Sequence, residues 1–313
     1  MGRRTQERRA VRLALQGIFV VALCMGGAAP AFAAKPTGHG GGGGSTPTGH
    51  DVSYPQCGSS LPTSPAFGIV GVTGGLANNL NPCFGPSSSF PRYSASELYW
   101  AVASSVGGTS QPKASLYVNT ADPGNVDNGT LIADWPTSGT TPYGSCATTT
   151  VTLSAGTYTV GQNSDACAWQ YGHNKATQDA SWLTGAASAI NNQSPPVTVA
   201  GTAESYPWWL DVETANTWQS DKTMNAADLQ GMVAGLETAG AGTVGAYSTA
   251  SQWDAITGGT NSASGSLYQI PNWIPGAKDL SGAKANCTQV SFTGGRATVT
   301  QWFSHPDDND YAC

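Results

Sequence analysis

The sequence predicts a parallel α/β fold, a (β/α)8 barrel of the TIM type built as a single domain, and three observations predict it. About seven or eight strand-like apolar runs alternate with helix-like stretches from Asp51 onward. The interval from Asp51 to Cys313, roughly 260 residues, suffices for one large core and holds neither a second linker nor an internal repeat. Asp51, Thr73, Asn119, Asp211, Glu213 and Gln301 fall at or just past the ends of such runs, where a barrel gathers its functional groups. A doubly wound open sheet is the alternative architecture.

Asp51-Val52-Ser53 reads as a short first strand, and 67–73 (FGIVGVT) as a continuously apolar one ending in Gly74-Gly75. Residues 94–106 have helical spacing, with Ser94 or Ser96 as N-cap, and 114–119 (ASLYVN) returns to a strand. The Gly/Thr/Asp-rich stretch 120–162 is an insertion, with a hairpin expected around Ala155-Gly156. Residues 166–191 read as a helix, followed by the strand that starts at Trp208. A helix over 225–239 is stopped by Gly240. Strands at 243–248, 268–274 and 297–303 complete the series, the last of them closing it.

Residues 1–33 lie outside this fold. Arg3, Arg4, Arg8, Arg9 and Arg12 precede an apolar core over 13–23, and Ala31-Phe32-Ala33 is a small-x-small cleavage site, the pattern of a secretory signal peptide. Either the general secretory or a twin-arginine route fits it. Residues 34–50 form a glycine-rich tether. Beyond residue 33, eight basic and 18 acidic residues remain, a net charge of −10. Without a basic patch, nucleic acid and, after signal removal, membranes are excluded as partners, and a secreted, extracellular monomer is expected. Cys57, Cys83, Cys146, Cys167, Cys287 and Cys313 form an even set, as expected for disulfides in an exported protein, and the simplest pairing joins neighbours. No Cys-x-x-Cys occurs and the four histidines are scattered, so no metal and no cofactor is expected.

Chemistry concentrates at 208–213 (WWLDVE). If the strand continues through Glu213, Asp211 and Glu213 share a face, roughly 6–7 Å apart. Two carboxyls so close, at the end of an apolar strand, raise one another's pKa and leave a general acid beside an anion, the requirement of glycosidic bond cleavage. The competing structural reading is a pair of acids that cap the following turn. Of the glutamates past residue 33, Glu97 and Glu237 fall in helix-like stretches and Glu204 in a loop, so Glu213 has no better rival. Tyr117 and Asn119 at the third strand end, and Trp135, Trp253, Trp273 and Trp302 as sugar-stacking faces, are further candidates, with core packing as the alternative. No Gly-x-Ser-x-Gly elbow and no phosphate loop occurs.

Several of these segments resemble glycoside hydrolase family 25, the Chalaropsis-type lysozymes or muramidases. Asp51-Val52-Ser53 is similar to that family's first strand, Leu210-Asp211-Val212-Glu213 to its Asp-x-Glu strand, and 245–253 (GAYSTASQW) to its tyrosine strand. Trp273-Ile274 resembles its tryptophan strand, and Gln301-Trp302 followed by Asp310 its last strand with a terminal acid. The resemblance implies a peptidoglycan β-1,4-glycosidase with Glu213 as general acid, Asp211 as neighbouring carboxylate, and Asp51 and Asp310 completing an acidic cluster. It implies cell-wall glycan as the partner, bound through Asn119, Tyr117, Trp273, Trp302 and Gln301.

The chain also departs from the family. Thr73-Gly74-Gly75 stands where a glutamate is common, while the insertion and three disulfides are foreign to its compact members. The terminal acid is one of Asp307, Asp308 and Asp310, with Asp310 favoured by its Asp-Tyr-Ala context. A glycan-binding barrel without catalysis and a structural surface protein are the other readings.

Overall fold

The computed structural model describes residues 46–122, 126–127, 130–131, 135–261, 263–289, 291–304 and 307–313. The signal segment and most of the tether lie outside the described residues. Residues Thr46–Cys313 form one compact unit. Eight strands close a barrel: β1 (Gly49–Val52), β2 (Gly68–Gly71), β3 (Ala114–Asn119), β4 (Trp208–Asp211), β5 (Val244–Tyr247), β6 (Asn272–Ala277), β7 (Ala297–Ser304) and β8 (Asp307–Ala312). Neighbours from β1 to β7 pair in parallel. Strand β8 runs antiparallel to both β7 and β1 and closes the barrel between them.

The strands are apolar on both faces because both faces are covered. On β2 and β4, Val70, Trp208 and Leu210 face outward into the main core, while Ile69 and Trp209 point inward. Inside the barrel, Phe67, Ile69, Trp209, Trp273 and Val299 pack together as a floor. Each fully buried aliphatic or aromatic side chain of this kind contributes about 1.5–3 kcal/mol. The same alternation brings Asp211 and its register partners Asn119 and Tyr247 one step nearer the C-terminal ends of their strands than Trp209, so a polar layer sits above an apolar one.

Helices α1 (Glu97–Ser104), α2 (Asp165–Asn191), α3 (Lys222–Thr238), α4 (Ala250–Thr257) and α5 (Leu280–Asn286) are capped by side chains of Ser96, Ser164, Asp221, Thr249 and Asp279. Helices α2 and α3 approach very closely. A Cβ at Gly172 would run into the Asp228 carbonyl, and one at Gly231 into the Trp169 carbonyl, so glycine is required at both positions. The insertion carries the expected hairpin, Thr148–Leu153 paired with Gly156–Gly161. Disulfides join Cys57–Cys83, Cys146–Cys167 and Cys287–Cys313, each a neighbour pair. Closing loops of 21 to 26 residues contributes about 3 kcal/mol apiece in the chain-entropy picture. Among the described residues no helix is long and apolar enough to cross a membrane.

Four sequence expectations shift. The strand expected over 268–274 starts only at Asn272, just past Pro271, whose carbonyl accepts the Ala246 N–H. Strand β7 is not the last, because Asp307-Asp308-Asn309-Asp310 forms most of β8 despite a composition poor in strand formers. The short helices α4 and α5 went unread. Strand β4 ends at Asp211, which places Glu213 just beyond it rather than on it.

Candidate active site

A cavity of about 170 Å³ opens among the C-terminal ends of the parallel strands. Asp51, Asp211, Glu213 and Asp308 supply its acids, and Tyr117, Tyr247, Trp273 and Gln301 its remaining walls. Trp273 is the hub of the aromatic part, meeting Tyr247 edge-on at 4.6 Å and Tyr117 at 6.2 Å between ring centres. Although β4 ends at Asp211, the next residues are held. The Val212 N–H donates to the Tyr247 carbonyl at 2.9 Å, Ser248 Oγ donates to the Val212 carbonyl at 2.7 Å, and Trp218 Nε1 donates to the Glu213 carbonyl at 2.8 Å.

Each buried acid is steadied by a neutral donor. Asn119 Nδ2 donates to Asp211 Oδ2 at 2.5 Å. The orientation of that amide is forced: its Oδ1 already accepts from Thr73 Oγ1 at 3.0 Å and from the Gly75 N–H at 3.1 Å. Thr73 Oγ1 in turn accepts the Asn119 N–H at 2.7 Å. Gln301 is oriented the same way, because Tyr247 Oη donates to its Oε1 at 3.0 Å and its Nε2 donates to Asp51 Oδ2 at 2.9 Å. Trp273 Nε1 donates to Asp310 Oδ1 at 2.9 Å.

Among the described residues no lysine or arginine lines the cavity, so none of the lining side chains sets a positive charge against the acids. Burial, and then the charge of Asp308, push Asp51 up to about 7. Burial, and then the charge of Glu213, hold Asp211 well above the usual carboxylate range. Glu213, partly exposed at the rim, is raised by burial against an opposing hydrogen bond from Gln252. Asp310, fully buried, is raised well above its ordinary value by burial and then by the Asp51 charge. Burial, reinforced at Asp51, Asp211 and Asp310 by the charge of neighbouring acids, therefore raises all four carboxyls together.

Of the residues singled out from the sequence, Asp51, Asp211, Glu213, Tyr117, Trp273 and Gln301 line the cavity. Asn119 and Asp310 stand behind it, hydrogen-bonded to the lining side chains Asp211 and Trp273. Trp302 is elsewhere: Gln301 points inward, so its neighbour points outward and is buried outside the cavity. Trp135 packs under the insertion against Tyr171, and Trp253 in the main core, so neither reaches the cavity. Two lining residues go beyond the site residues singled out from the sequence: Tyr247, which the sequence marked only as part of a tyrosine strand, and Asp308, which it held as an alternative to Asp310 for the terminal acid. Tyr247 ends its strand as Asn119 and Asp211 do; Asp308 becomes a cavity acid only once β8 is known to be a strand.

A closed barrel with an aromatic-walled, acid-lined cleft at its strand ends gathers the groups on which glycosidic bond cleavage depends. The family described as Lysozyme-like protein 1 matches residues 200–274, a segment containing Asp211, Glu213, Tyr247 and Trp273. Probable GH family 25 lysozyme 4 of Dictyostelium discoideum is 38% identical over 65 residues, covering 21% of this chain and 30% of that protein. Probable GH family 25 lysozyme 2 of the same organism is 40% identical over 65 residues, covering 21% of this chain and 28% of its own length. The chain thus matches less than a third of the length of either relative. The muramidase from Trichobolus zukalii has a similar structure, with a TM-score of 0.42 and 14% identity over 85% of this chain and 93% of that one. The fold of this chain is a barrel like that of glycoside hydrolase family 25, here with three disulfides.

Proposed function

We propose that the protein is a muramidase-like glycoside hydrolase that cleaves β-1,4 bonds in the glycan strands of peptidoglycan, exported by way of its N-terminal signal and acting outside the cell as a monomer. The observation that carries this reading is the Asp211–Glu213 pair: two carboxyls with raised pKa values in one aromatic-walled cleft, one buried and clamped, the other at the rim. Glu213 is the member able to reach an incoming leaving-group oxygen and is the general acid. With the proton on Glu213, Asp211, whose anion the Asn119 hydrogen bond favours against burial, supplies negative charge near the oxocarbenium-like centre as the bond breaks. Asp51, with the neutral Asp310 behind it and Asp308 beside it, forms the opposite acidic wall, and Trp273 and the two tyrosines offer faces and hydroxyls to sugar rings.

Release of reducing ends from purified peptidoglycan by the wild type and by Glu213→Gln tests the reading. Release that falls by about three orders of magnitude in the variant, within the range for loss of a general acid, supports it. Equal release by both proteins overturns the assignment of Glu213. A wild type that co-sediments with walls yet releases nothing is a glycan-binding barrel and not a hydrolase.

A further inference from the structure

Helix α4 opens on Thr249-Ala250-Ser251-Gln252, the Thr-x-x-Gln pattern of a capping box, and Thr249 Oγ1 accepts the Gln252 N–H at 3.2 Å. In such a box the glutamine side chain turns back to the backbone of the capping residue. Gln252 is used differently. Its Oε1 accepts from the Thr214 N–H at 2.8 Å and from Thr214 Oγ1 at 3.1 Å, 38 positions away in the chain. Thr214 directly follows Glu213, so this amide ties α4 to the segment just beyond β4. Its neighbour Trp253 is buried in the main core and anchors the helix.

With both Thr214 donors on Oε1, the amide cannot turn round, because its own N–H groups would then face the Thr214 N–H. Nε2 is the end left for Glu213, and the hydrogen bond it gives that carboxyl opposes the effect of burial there. The Glu213 main chain is already fixed, since its carbonyl accepts from the Asn216 N–H at 3.1 Å and from Trp218 Nε1 at 2.8 Å. What Gln252 adds is the direction of the half-buried carboxyl itself. The titratable groups that share the cavity with it are Asp211 on β4, Tyr117 on β3, Tyr247 on β5, Asp51 on β1 and Asp308 on β8, and none of these carries positive charge. A neutral amide thus serves Glu213 as Asn119 serves Asp211. An amide N–H holds one carboxyl oxygen without surrendering its proton, which leaves the other oxygen to carry the transferable one.

We infer that Gln252 is a positioning residue for Glu213: its amide, oriented by Thr214, donates to the Glu213 carboxyl and aims it into the cleft. The catalytic meaning of this contact rests on the reading of Glu213 as general acid; the contact itself does not. Two readouts separate them. The first is a carbon-13 NMR titration of the whole protein labelled at its glutamate carboxyl carbons, with Glu213→Gln identifying the Glu213 signal. Gln252→Met keeps the side-chain length and removes the amide, and Gln252→Glu keeps an oxygen for Thr214 but supplies no N–H. In both, the Glu213 midpoint should rise by about one pH unit, while that of Glu97 on α1, outside the cavity, stays put. The second readout is reducing-end release from peptidoglycan. A general acid works protonated, so the basic limb of the kcat/KM profile should move upward in step with the midpoint, with kcat at its own optimum roughly tenfold lower. A Glu213 midpoint unmoved in Gln252→Met overturns the inference. So does a wild-type midpoint and profile in Gln252→Glu, which would mean that Gln252 acts through Thr214 alone; this variant also decides the matter if Gln252→Met fails to fold. A midpoint that rises in a protein whose wild type releases no reducing ends supports the contact and defeats the hydrolase reading.

Discussion

Two groups of buried acids share this chain, and they differ in what surrounds them. At the barrel mouth, Asp51, Asp211, Glu213 and Asp308 face a cavity, with amides, an indole and tyrosines as neighbours. Between α2 and α3, Asp179 and Asp228 are more deeply buried, 1% and 0% exposed, and burial raises their carboxyls too. There the opposing influence is the charge of Lys175, itself 8% exposed, and the close contact of the helices at Gly172 and Gly231 leaves no access. A raised carboxyl therefore does not by itself mark a site. What distinguishes the mouth is an opening, a ring of oriented neutral donors and the lack of a compensating cation.

Substitutions can break or sharpen this contrast. The largest effect is expected at Glu213, where Gln lowers reducing-end release about 1,000-fold with little change in melting temperature. Asp179→Asn should leave the rate unchanged, and a large loss there would erase the distinction. Next is Asn119→Ala, which removes the donor to Asp211 Oδ2. Loss of a hydrogen bond to a charged group, about 1.5–3 kcal/mol, predicts a rate roughly ten- to a hundredfold lower, with the acidic limb of the pH–rate profile displaced upward. Gly231→Leu should act on stability alone. Overpacking the α2–α3 contact costs about 1–3 kcal/mol, read as a drop of several degrees in melting temperature at unchanged rate per folded molecule.

The pH dependence of stability is smaller and is shared by an acid of the mouth, Asp51, and one outside both groups, Glu97 on α1. Asp51 and Glu97 rise on folding from ordinary values of 3.8 and 4.5 to about 7. Between those limits the native state holds protons that the unfolded chain has released. Their contribution is complete below about pH 4, fades as pH rises, and is gone above about 7. Thermal melts should therefore give a higher midpoint at pH 5 than at pH 8, and Glu97→Gln should flatten part of that slope. A midpoint that climbs with pH over this range would contradict the burial of these acids. The smallest effect is expected for Trp302→Phe, which should change the rate less than about twofold because this side chain faces away from the cavity.

Much of the barrel was legible because covered strands are continuous apolar runs, and 67–73, 114–119 and 208–211 stand out on that ground alone. Asp211 and Glu213 were legible as a pair for the same reason: acids ending an apolar run are conspicuous. Strand β8 was not, since its acids and asparagine mimic a solvated tail until β1 and β7 pair with them. For the same reason Asp308 ranked behind Asp310 as the terminal acid, although it is Asp308 that lines the cavity. The role of Thr73 was equally hidden: its hydroxyl matters only because Asn119, 46 positions away, needs its amide turned. Trp302 misled because a tryptophan beside Gln301 looks sugar-facing until the strand's alternation is fixed.

The seam between β1 and β8 bears on how the molecule is made. His50 Nδ1 meets the Asp308 carbonyl at 3.0 Å across 258 positions, so the first strand of the barrel emerges from the ribosome long before its closing partner. Until β8 arrives, β1 and β7 remain edges, and Asp51 faces a gap where Asp308 and Asp310 belong. A nascent or prematurely terminated chain carries the Asp211–Glu213 pair without an enclosed cleft. Completion of the last strand is thus the moment at which the acids of the barrel mouth become enclosed.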